Sequence, residues 1–235
     1  MTFKVAACGI AVALSLAANI SRADVSFTPT IVSDYDFRGI SLSKRSPAAQ
    51  GELDVSASNG LKGYVWASNT DIVVPGLGTE IDLMAGWSGG EKLVWDVGLV
   101  YYTYPGHNAF AYPEAYVGVS SNLSEKFNLG GKIWYSNDYA AVGDSGAYYE
   151  ANATVGLPWW DLSLGLHVGH SAGKYWDNAS GGGYTDLAVG VSKSIEKLNL
   201  SLKVIDGSNL KDGDTALLST DRKVVFGIAT TLPWK

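Results

Sequence analysis

The chain has 235 residues, of which 46% are hydrophobic and only 17% are charged, with 28 glycines, 8 tryptophans and 13 tyrosines. This composition excludes an intrinsically disordered chain, which would be poor in aromatic residues. The formal net charge of -6 comes without any cluster of Lys and Arg, so we expect no nucleic-acid binding.

Residues 1–23 have the pattern of a secretory signal peptide. Lys4 supplies a positive charge, residues 5–18 form an apolar run, and Ser21-Arg22-Ala23 places small residues before a cleavage site. The apolar run is shorter than the roughly 20 residues that a spanning helix needs, and no later segment approaches that length. We therefore predict an exported chain without a membrane helix, in which residues 24–235 form a single domain.

From Val25 onward, apolar and polar residues alternate with a period of two. Val25 and Phe27 fall on one face of the first segment, whereas Ser26 and Thr28 fall on the other, and this is the pattern of a strand with one polar face. Twelve segments of this kind are predicted, at residues 25–38, 50–58, 61–68, 79–87, 93–104, 114–120, 127–135, 148–157, 162–170, 186–192, 198–205 and 224–232. Helix is expected only as short turns in loops.

The connections between these segments alternate between long and short. Long connections fall at residues 39–47, 70–78, 105–111, 140–146, 171–183 and 206–221, and tight ones at 59–60, 88–91, 121–125, 158–161 and 193–197. An even number of antiparallel strands, with long loops on one side and short turns on the other, is typical of a transmembrane barrel. We therefore predict an all-β fold, an antiparallel up-and-down transmembrane barrel of about twelve strands. The alternative is a soluble up-and-down barrel, which predicts polar residues on the outer face.

The charged residues on the polar face are predicted to point into the lumen, because residues two apart on a strand share a face. The predicted pore-lining residues are Asp34, Asp36, Arg38, Glu52, Asp54, Glu80, Asp82, Asp96, Glu114, Lys132 and Glu150. Acids outnumber Arg38 and Lys132 in this set, which predicts an ion path that prefers cations. The alternative is a filled lumen in which these side chains bond to one another. Twelve strands lie between filled eight-stranded and open sixteen-stranded barrels, so strand number leaves both open.

Tryptophans and tyrosines are numerous enough to form the aromatic girdles of a membrane barrel. The tryptophans that we assign to these girdles are Trp66, Trp87, Trp95, Trp134, Trp159 and Trp160.

Enzymatic and metal sites find little support in the residue pattern. His167 and His170 are three apart on one strand and so face opposite sides, while His107 lies in a Pro-Gly loop. Ser41 and Lys44 fit an S-x-x-K spacing without the other elements of that motif. Asp212, Asp214 and Asp221 resemble a calcium loop but lack the regular spacing. We expect no enzyme activity, no cofactor and no metal ion, and a hydrolase is the weakest hypothesis.

Several short motifs resemble one family along nearly the whole predicted mature chain. The most specific is SDYDFRGIS at residues 33–41, followed by WASN at 66–69, YTYPG at 102–106 and YYEA at 148–151. These motifs are similar to those of the TorF family of porins, outer-membrane barrels of the Gcw_chp type. The resemblance implies a barrel of the Gram-negative outer membrane with a channel role, and it brings no catalytic residues.

The functional hypotheses follow from the barrel and the resemblance together. The first is a passive outer-membrane porin for small hydrophilic solutes, and the second is a closed structural or adhesive barrel that acts through its extracellular loops. The expected partners are outer-membrane lipids, small solutes or ions, and the barrel assembly machinery, with the chain a monomer or weak homo-oligomer. Assembly machinery commonly reads a terminal aromatic residue, whereas here Trp234 is penultimate and Lys235 is last.

Overall fold

Twelve strands close into one antiparallel barrel in the computed structural model, which describes residues 23–71, 77–208 and 221–234. Two further short strands, β2 (Asp36–Phe37) and β3 (Ile40–Ser41), form a separate hairpin. The barrel strands are β1 (Ala23–Val32), β4 (Ala48–Ala57), β5 (Leu61–Asn69), β6 (Thr79–Gly89), β7 (Val94–Thr103), β8 (Tyr112–Ser124), β9 (Phe127–Ser136), β10 (Gly146–Gly156), β11 (Ser163–Ala172), β12 (Tyr184–Ile195), β13 (Leu198–Ser208) and β14 (Lys223–Ala229). The predicted fold class is confirmed. The predicted signal peptide lies outside the described residues, except for Ala23, which begins β1.

Each barrel strand pairs with its neighbours in sequence, and the barrel closes where β1 meets β14. The register there pairs Thr30 with Ala229 and Val32 with Gly227. Closer to the termini, the backbone N–H of Phe27 donates to the carbonyl of Leu232 at 3.0 Å, and the return bond is 2.8 Å. The seam is thus closed by ladder pairing in one half and by an isolated bridge in the other.

The two ends of the barrel differ in the length of their connections, as the sequence predicts. At one end, which we call the short-turn end, both termini lie beside tight turns such as Asn59-Gly60, where Gly60 adopts a φ of +89°. The opposite, long-loop end carries helix α1 (Lys174–Ser180) and two 3₁₀ turns, Asn108–Phe110 and Tyr139–Ala141. None of the helices among the described residues has the length and apolar character needed to cross a membrane.

The outer wall of the barrel is apolar and the inner wall is polar. Ile31, Leu99 and Val224 are each at least 60% exposed on the outside, whereas Glu80 and Glu114 are almost fully buried within. A soluble up-and-down barrel has the reverse arrangement, so the outer face matches a barrel surrounded by lipid.

Exposed aromatic side chains lie near both ends of this apolar wall. At the short-turn end they are Trp87, Trp95, Trp159 and Trp160, and at the long-loop end they are Tyr101, Tyr135 and Tyr149. These positions fit interfacial girdles. The assignment of Trp66 and Trp134 to the girdles is wrong, because both side chains line the lumen.

The first strand also ends earlier than predicted. β1 stops at Val32 instead of continuing to Arg38, and the chain then turns into the barrel. The alternating pattern continues past this point because the inserted segment is itself a β-hairpin, β2–β3, with the same period of two. Asp34, Asp36 and Arg38 therefore reach the lumen from a folded-in loop and not from the barrel wall.

Candidate functional site in the lumen

The β2–β3 hairpin enters the lumen from the long-loop end and turns at Arg38-Gly39. Both residues have positive φ, 52° and 82° respectively, as a two-residue turn of the primed type requires. A side chain at Gly39 would meet Asp186 of β12, since a Cβ built there lies 2.6 Å from the Asp186 Cβ. Glycine is therefore needed for its backbone conformation and for the close approach of the hairpin tip to the wall.

Arg38 fastens the hairpin to the barrel wall through a buried ion pair. Its guanidinium donates two hydrogen bonds to the carboxylate of Glu114 on β8, at 3.0 and 2.6 Å. The Tyr102 hydroxyl donates to the same carboxylate at 2.9 Å. The guanidinium also lies 4.4 Å from the ring centroid of Tyr148. This two-pronged geometry fixes the orientation of Arg38 as well as its position.

A second ion pair holds the other side of the hairpin. The ammonium of Lys223 lies 2.7 Å from a carboxylate oxygen of Asp36 and donates to the carbonyl of Gly39 at 2.8 Å. Burial raises the pKa of the Asp36 carboxyl, although Lys223 acts in the opposite direction. Asp34 accepts hydrogen bonds from the hydroxyls of Ser41 and Ser43, which close the base of the hairpin.

Aromatic packing fills the long-loop half of the lumen around this hairpin. Trp176 of α1 and Tyr184 are at most 1% exposed, and their rings meet edge to face at a centroid distance of 4.7 Å. The Tyr184 hydroxyl donates to the carbonyl of Arg38 at 2.8 Å. The buried residues of this cluster are Ile40, Val100, Tyr102, Tyr112, Tyr116, Tyr139, Trp176 and Tyr184. We call them, together with the β2–β3 hairpin, the plug.

A cavity of about 640 Å³ lies between the plug and the short-turn end. It reaches Thr154, Ser192 and Ser201 on the strands beyond the plug. Among the described residues, six carboxylates line it, against two permanent cations, Arg38 and Lys203. The six are Asp34, Asp36, Glu52, Asp82, Glu150 and Asp186. Since Arg38 is already paired with Glu114, the cavity wall carries an excess of negative charge.

The predicted pore-lining residues divide into two groups. Those that line the cavity are Asp34, Asp36, Arg38, Glu52, Asp82 and Glu150, whereas Asp54, Glu80, Asp96, Glu114 and Lys132 do not border it. Glu80 accepts hydrogen bonds from the hydroxyls of Tyr35 and Tyr104. Asp96 is paired with Lys62 and Lys132 at 2.8 and 3.1 Å. Of this second group, Glu114 bonds to Arg38 of the plug, and Asp96 and Lys132 bond to each other across the wall.

The residue pattern misses one polar network in the lumen, formed by His167, Asp186 and Tyr148. His167 Nε2 lies 2.8 Å from a carboxylate oxygen of Asp186 and 2.9 Å from the Tyr148 hydroxyl, and its Nδ1 lies 2.7 Å from the side-chain oxygen of Asn152. Asp186 is the first residue of a predicted strand, and the alternating pattern of that strand could have placed its side chain on the inner wall. The network has an acid and an imidazole but no serine or cysteine nucleophile among its bonded partners.

The other candidate catalytic and metal residues are not brought together. Ser41 donates to Asp34, whereas Lys44 pairs with Asp71 at 2.7 Å, so the S-x-x-K residues have different partners. His170 contacts the Thr185 hydroxyl, on the outer side of the same strand as His167. No group of three potential metal ligands occurs in the described part of the chain, and Asp212 and Asp214 lie outside it.

Solved structures of other proteins share this barrel at low sequence identity. A NanC porin has a TM-score of 0.58 at 9% identity, covering 88% of this chain and 98% of its own. A KdgM porin in complex with disordered oligogalacturonate has a TM-score of 0.56 at 7% identity, covering 89% of this chain and 98% of its own. A bacterial polysaccharide outer-membrane secretin has a TM-score of 0.50 at 12% identity, covering 91% and 73%. At these sequence identities the similarity shows a shared fold and nothing further.

Comparison with curated proteins gives no match. The family model described as "Bacterial protein of unknown function (Gcw_chp)" matches residues 17–232, which is nearly the whole chain. The twelve-stranded barrel with its polar lumen is therefore the fold of a Gcw_chp family member, and this protein belongs to that family.

Proposed function

We propose that this protein is an outer-membrane channel through which small hydrophilic solutes diffuse passively, with a preference for cations. The observation that carries the proposal is the acidic cavity of about 640 Å³ inside a barrel whose outer wall is apolar. Carboxylates along a narrow path lower the energy of a cation and raise that of an anion. The porin-like fold of the solved structures supports the channel role, and the motifs at residues 33–41 and 102–106 support the finer assignment to the TorF family.

The same proposal covers the location of the protein and its partners. An apolar belt with aromatic girdles fits outer-membrane lipid, and the predicted signal peptide and barrel assembly machinery provide the route to it. We expect a monomer or weak homo-oligomer, no cofactor and no catalysis.

Planar-bilayer recording of the purified protein under a salt gradient tests the channel. We expect discrete conductance steps and a reversal potential whose sign shows selectivity for cations. Replacing Glu52 and Glu150 by Gln removes two carboxylates from the cavity and should shift the reversal potential toward zero. Glu125→Gln, in the exposed turn after β8, is the matched control and should change nothing. An anion-selective wild type, or the same selectivity in the double variant, would contradict the cation preference.

A closed structural or adhesive barrel is the second candidate, and the plug is the observation that favours it. Trp176, Tyr184 and Glu114 are almost fully buried across the long-loop half of the lumen. This candidate expects a folded protein that is silent in bilayers. If neither the wild type nor a variant without the β2–β3 hairpin conducts ions, this second function replaces the channel.

A further inference from the structure

Four lumen carboxylates have no cationic partner among the residues that the structure describes. Three inward acids are balanced by close cations, with Glu114 paired to Arg38, Asp96 to Lys62 and Lys132, and Asp36 to Lys223. In the described ranges, Glu52 and Asp54 on β4 and Glu80 and Asp82 on β6 form no ion pair with Lys, Arg or His. Of these, Glu80 accepts hydrogen bonds from two tyrosine hydroxyls. The uncompensated charge of the lumen is therefore concentrated on one side of the wall.

Asp82 is the member of this group that points to a missing ligand. Its side chain borders the cavity although the residue is only 7% exposed, and its Oδ1 is buried without a hydrogen-bond partner. A buried carboxylate oxygen without a partner is costly, and buried charges in proteins are almost always paired. The Asp82 carboxylate therefore lacks a hydrogen-bond donor, and the neighbouring acids favour a donor that carries positive charge.

Aromatic rings provide the rest of the surroundings. In the cross-strand register Glu52 pairs with Trp66, and Trp66 pairs with Asp82, so the tryptophan stands between the two carboxylates. The two acids are about 10 Å apart at the backbone, because neighbouring strands lie about 4.8 Å apart. Tyr35, at the base of the β2–β3 hairpin, lies 5.2 Å from the Trp66 ring, centroid to centroid. Ring faces beside carboxylates attract ammonium groups through cation–π and ionic attraction together.

The same residues are a poor site for a metal ion. No group of three His, Cys, Asp or Glu side chains able to hold a metal occurs in the described ranges, and Ca²⁺ or Mg²⁺ would require several converging oxygens. An ammonium group needs only one or two acceptors and a ring face. The cavity has the size of known small-molecule sites, which are about 300–1,000 Å³.

We propose that Glu52, Trp66 and Asp82 form a binding site for the ammonium groups of a small organic amine, with a diamine able to reach both carboxylates. This inference rests on the proposed function, since it names the class of cation that the channel would carry. The geometry assigns Asp82 as the buried acceptor, Glu52 as the more accessible one, and Trp66 as the ring face between them.

Titration of the folded protein in detergent with 1,4-diaminobutane tests the site without relying on conductance. We expect saturable binding in calorimetry and in tryptophan fluorescence, and no such response to KCl at equal ionic strength. Asp82→Asn, which keeps the shape of the side chain, should weaken binding about tenfold or more by removing a charged acceptor. Glu52→Gln should weaken it to a smaller extent, and Glu125→Gln should leave it unchanged.

The outcomes separate this proposal from the channel. Absence of saturable binding to a wild type that conducts cations would overturn the amine site and leave the channel in place. Saturable binding to a barrel that is silent in bilayers would keep the site and remove the channel. Equal binding by Asp82→Asn and the wild type would also overturn the site, and Glu52→Gln provides the same comparison if Asp82→Asn does not fold.

Discussion

At the scale of single residues, the buried Arg38–Glu114 pair is a place where removal of one side chain should be costly. Glu114 is fully buried, so Arg38→Met leaves its carboxylate without a cationic partner. Breaking a buried ion pair from one side typically costs about 3–5 kcal/mol. We expect the free energy of unfolding to fall by about this amount in urea titrations of the protein in lipid vesicles, followed by tryptophan fluorescence.

The double variant Arg38→Met/Glu114→Leu is the control for this pair. Replacing both charges by apolar groups removes the unpaired carboxylate, so most of the lost stability should return. A single variant as stable as the wild type would show that the pair does not hold the plug.

Gly39 offers a second residue-scale test, with a closely matched partner in Gly106. The two glycines have nearly the same positive φ, +82° and +81°, but a Cβ at Gly39 meets Asp186 whereas a Cβ at Gly106 meets nothing within 4 Å. Both alanine variants carry the left-handed strain of about 1–2 kcal/mol. Gly39→Ala should therefore lose clearly more unfolding free energy than Gly106→Ala. Equal losses would mean that the hairpin tip does not press against Asp186.

The residue pattern predicts only some of the side chains and contacts in the lumen. Alternation places Glu52, Asp82 and Glu150 on the inner wall, because the side-chain period of a strand is two. It cannot distinguish a residue on the wall from one on an inserted hairpin, since both alternate. Asp186 and His167 belong to the same pattern, but their bond to each other depends on the register between β11 and β12, which the sequence does not display.

At the scale of elements, the β2–β3 hairpin determines how much of the lumen is open. Its base is already closed, because the N–H of Leu42 donates to the carbonyl of Tyr35 at 2.7 Å. A short Gly-Ser linker can therefore replace residues 36–41 without straining the wall. If the lumen conducts, removal of this element should raise single-channel conductance severalfold, because it takes away part of the packing that fills the long-loop half of the lumen.

A change in another loop at the same end is the control for a general loosening of the barrel structure. Residues 106–109 are largely exposed and none of them belongs to the plug, so shortening that loop should leave conductance unchanged. Equal conductance in the wild type and the hairpin variant would indicate that the hairpin does not restrict the path.

Twelve strands and alternating loop lengths are predictable from the sequence because each strand carries its own local signals. The hairpin is harder to predict because its turn is Arg38-Gly39, whereas primed turns usually show Asn-Gly or Asp-Gly. The packing of Tyr139 and Trp176 against Tyr184 of β12 depends on how two separate loops fold back into the lumen, which no local pattern records.

At the scale of the whole molecule, the apolar outer wall is the feature that favours lipid as the environment of the barrel. Leu99 lies in the middle of β7 and is 60% exposed on the outside, whereas Leu123 is 59% exposed near the turn after β8. An arginine at the bilayer midplane costs about 2–4 kcal/mol, but only about 0–1 kcal/mol near an interface. Leu99→Arg should therefore lower the stability of the folded barrel in vesicles far more than Leu123→Arg, measured by urea titration. The two leucines are almost equally exposed, so a soluble barrel would tolerate both substitutions alike, and equal effects of the two arginines would count against a spanning barrel.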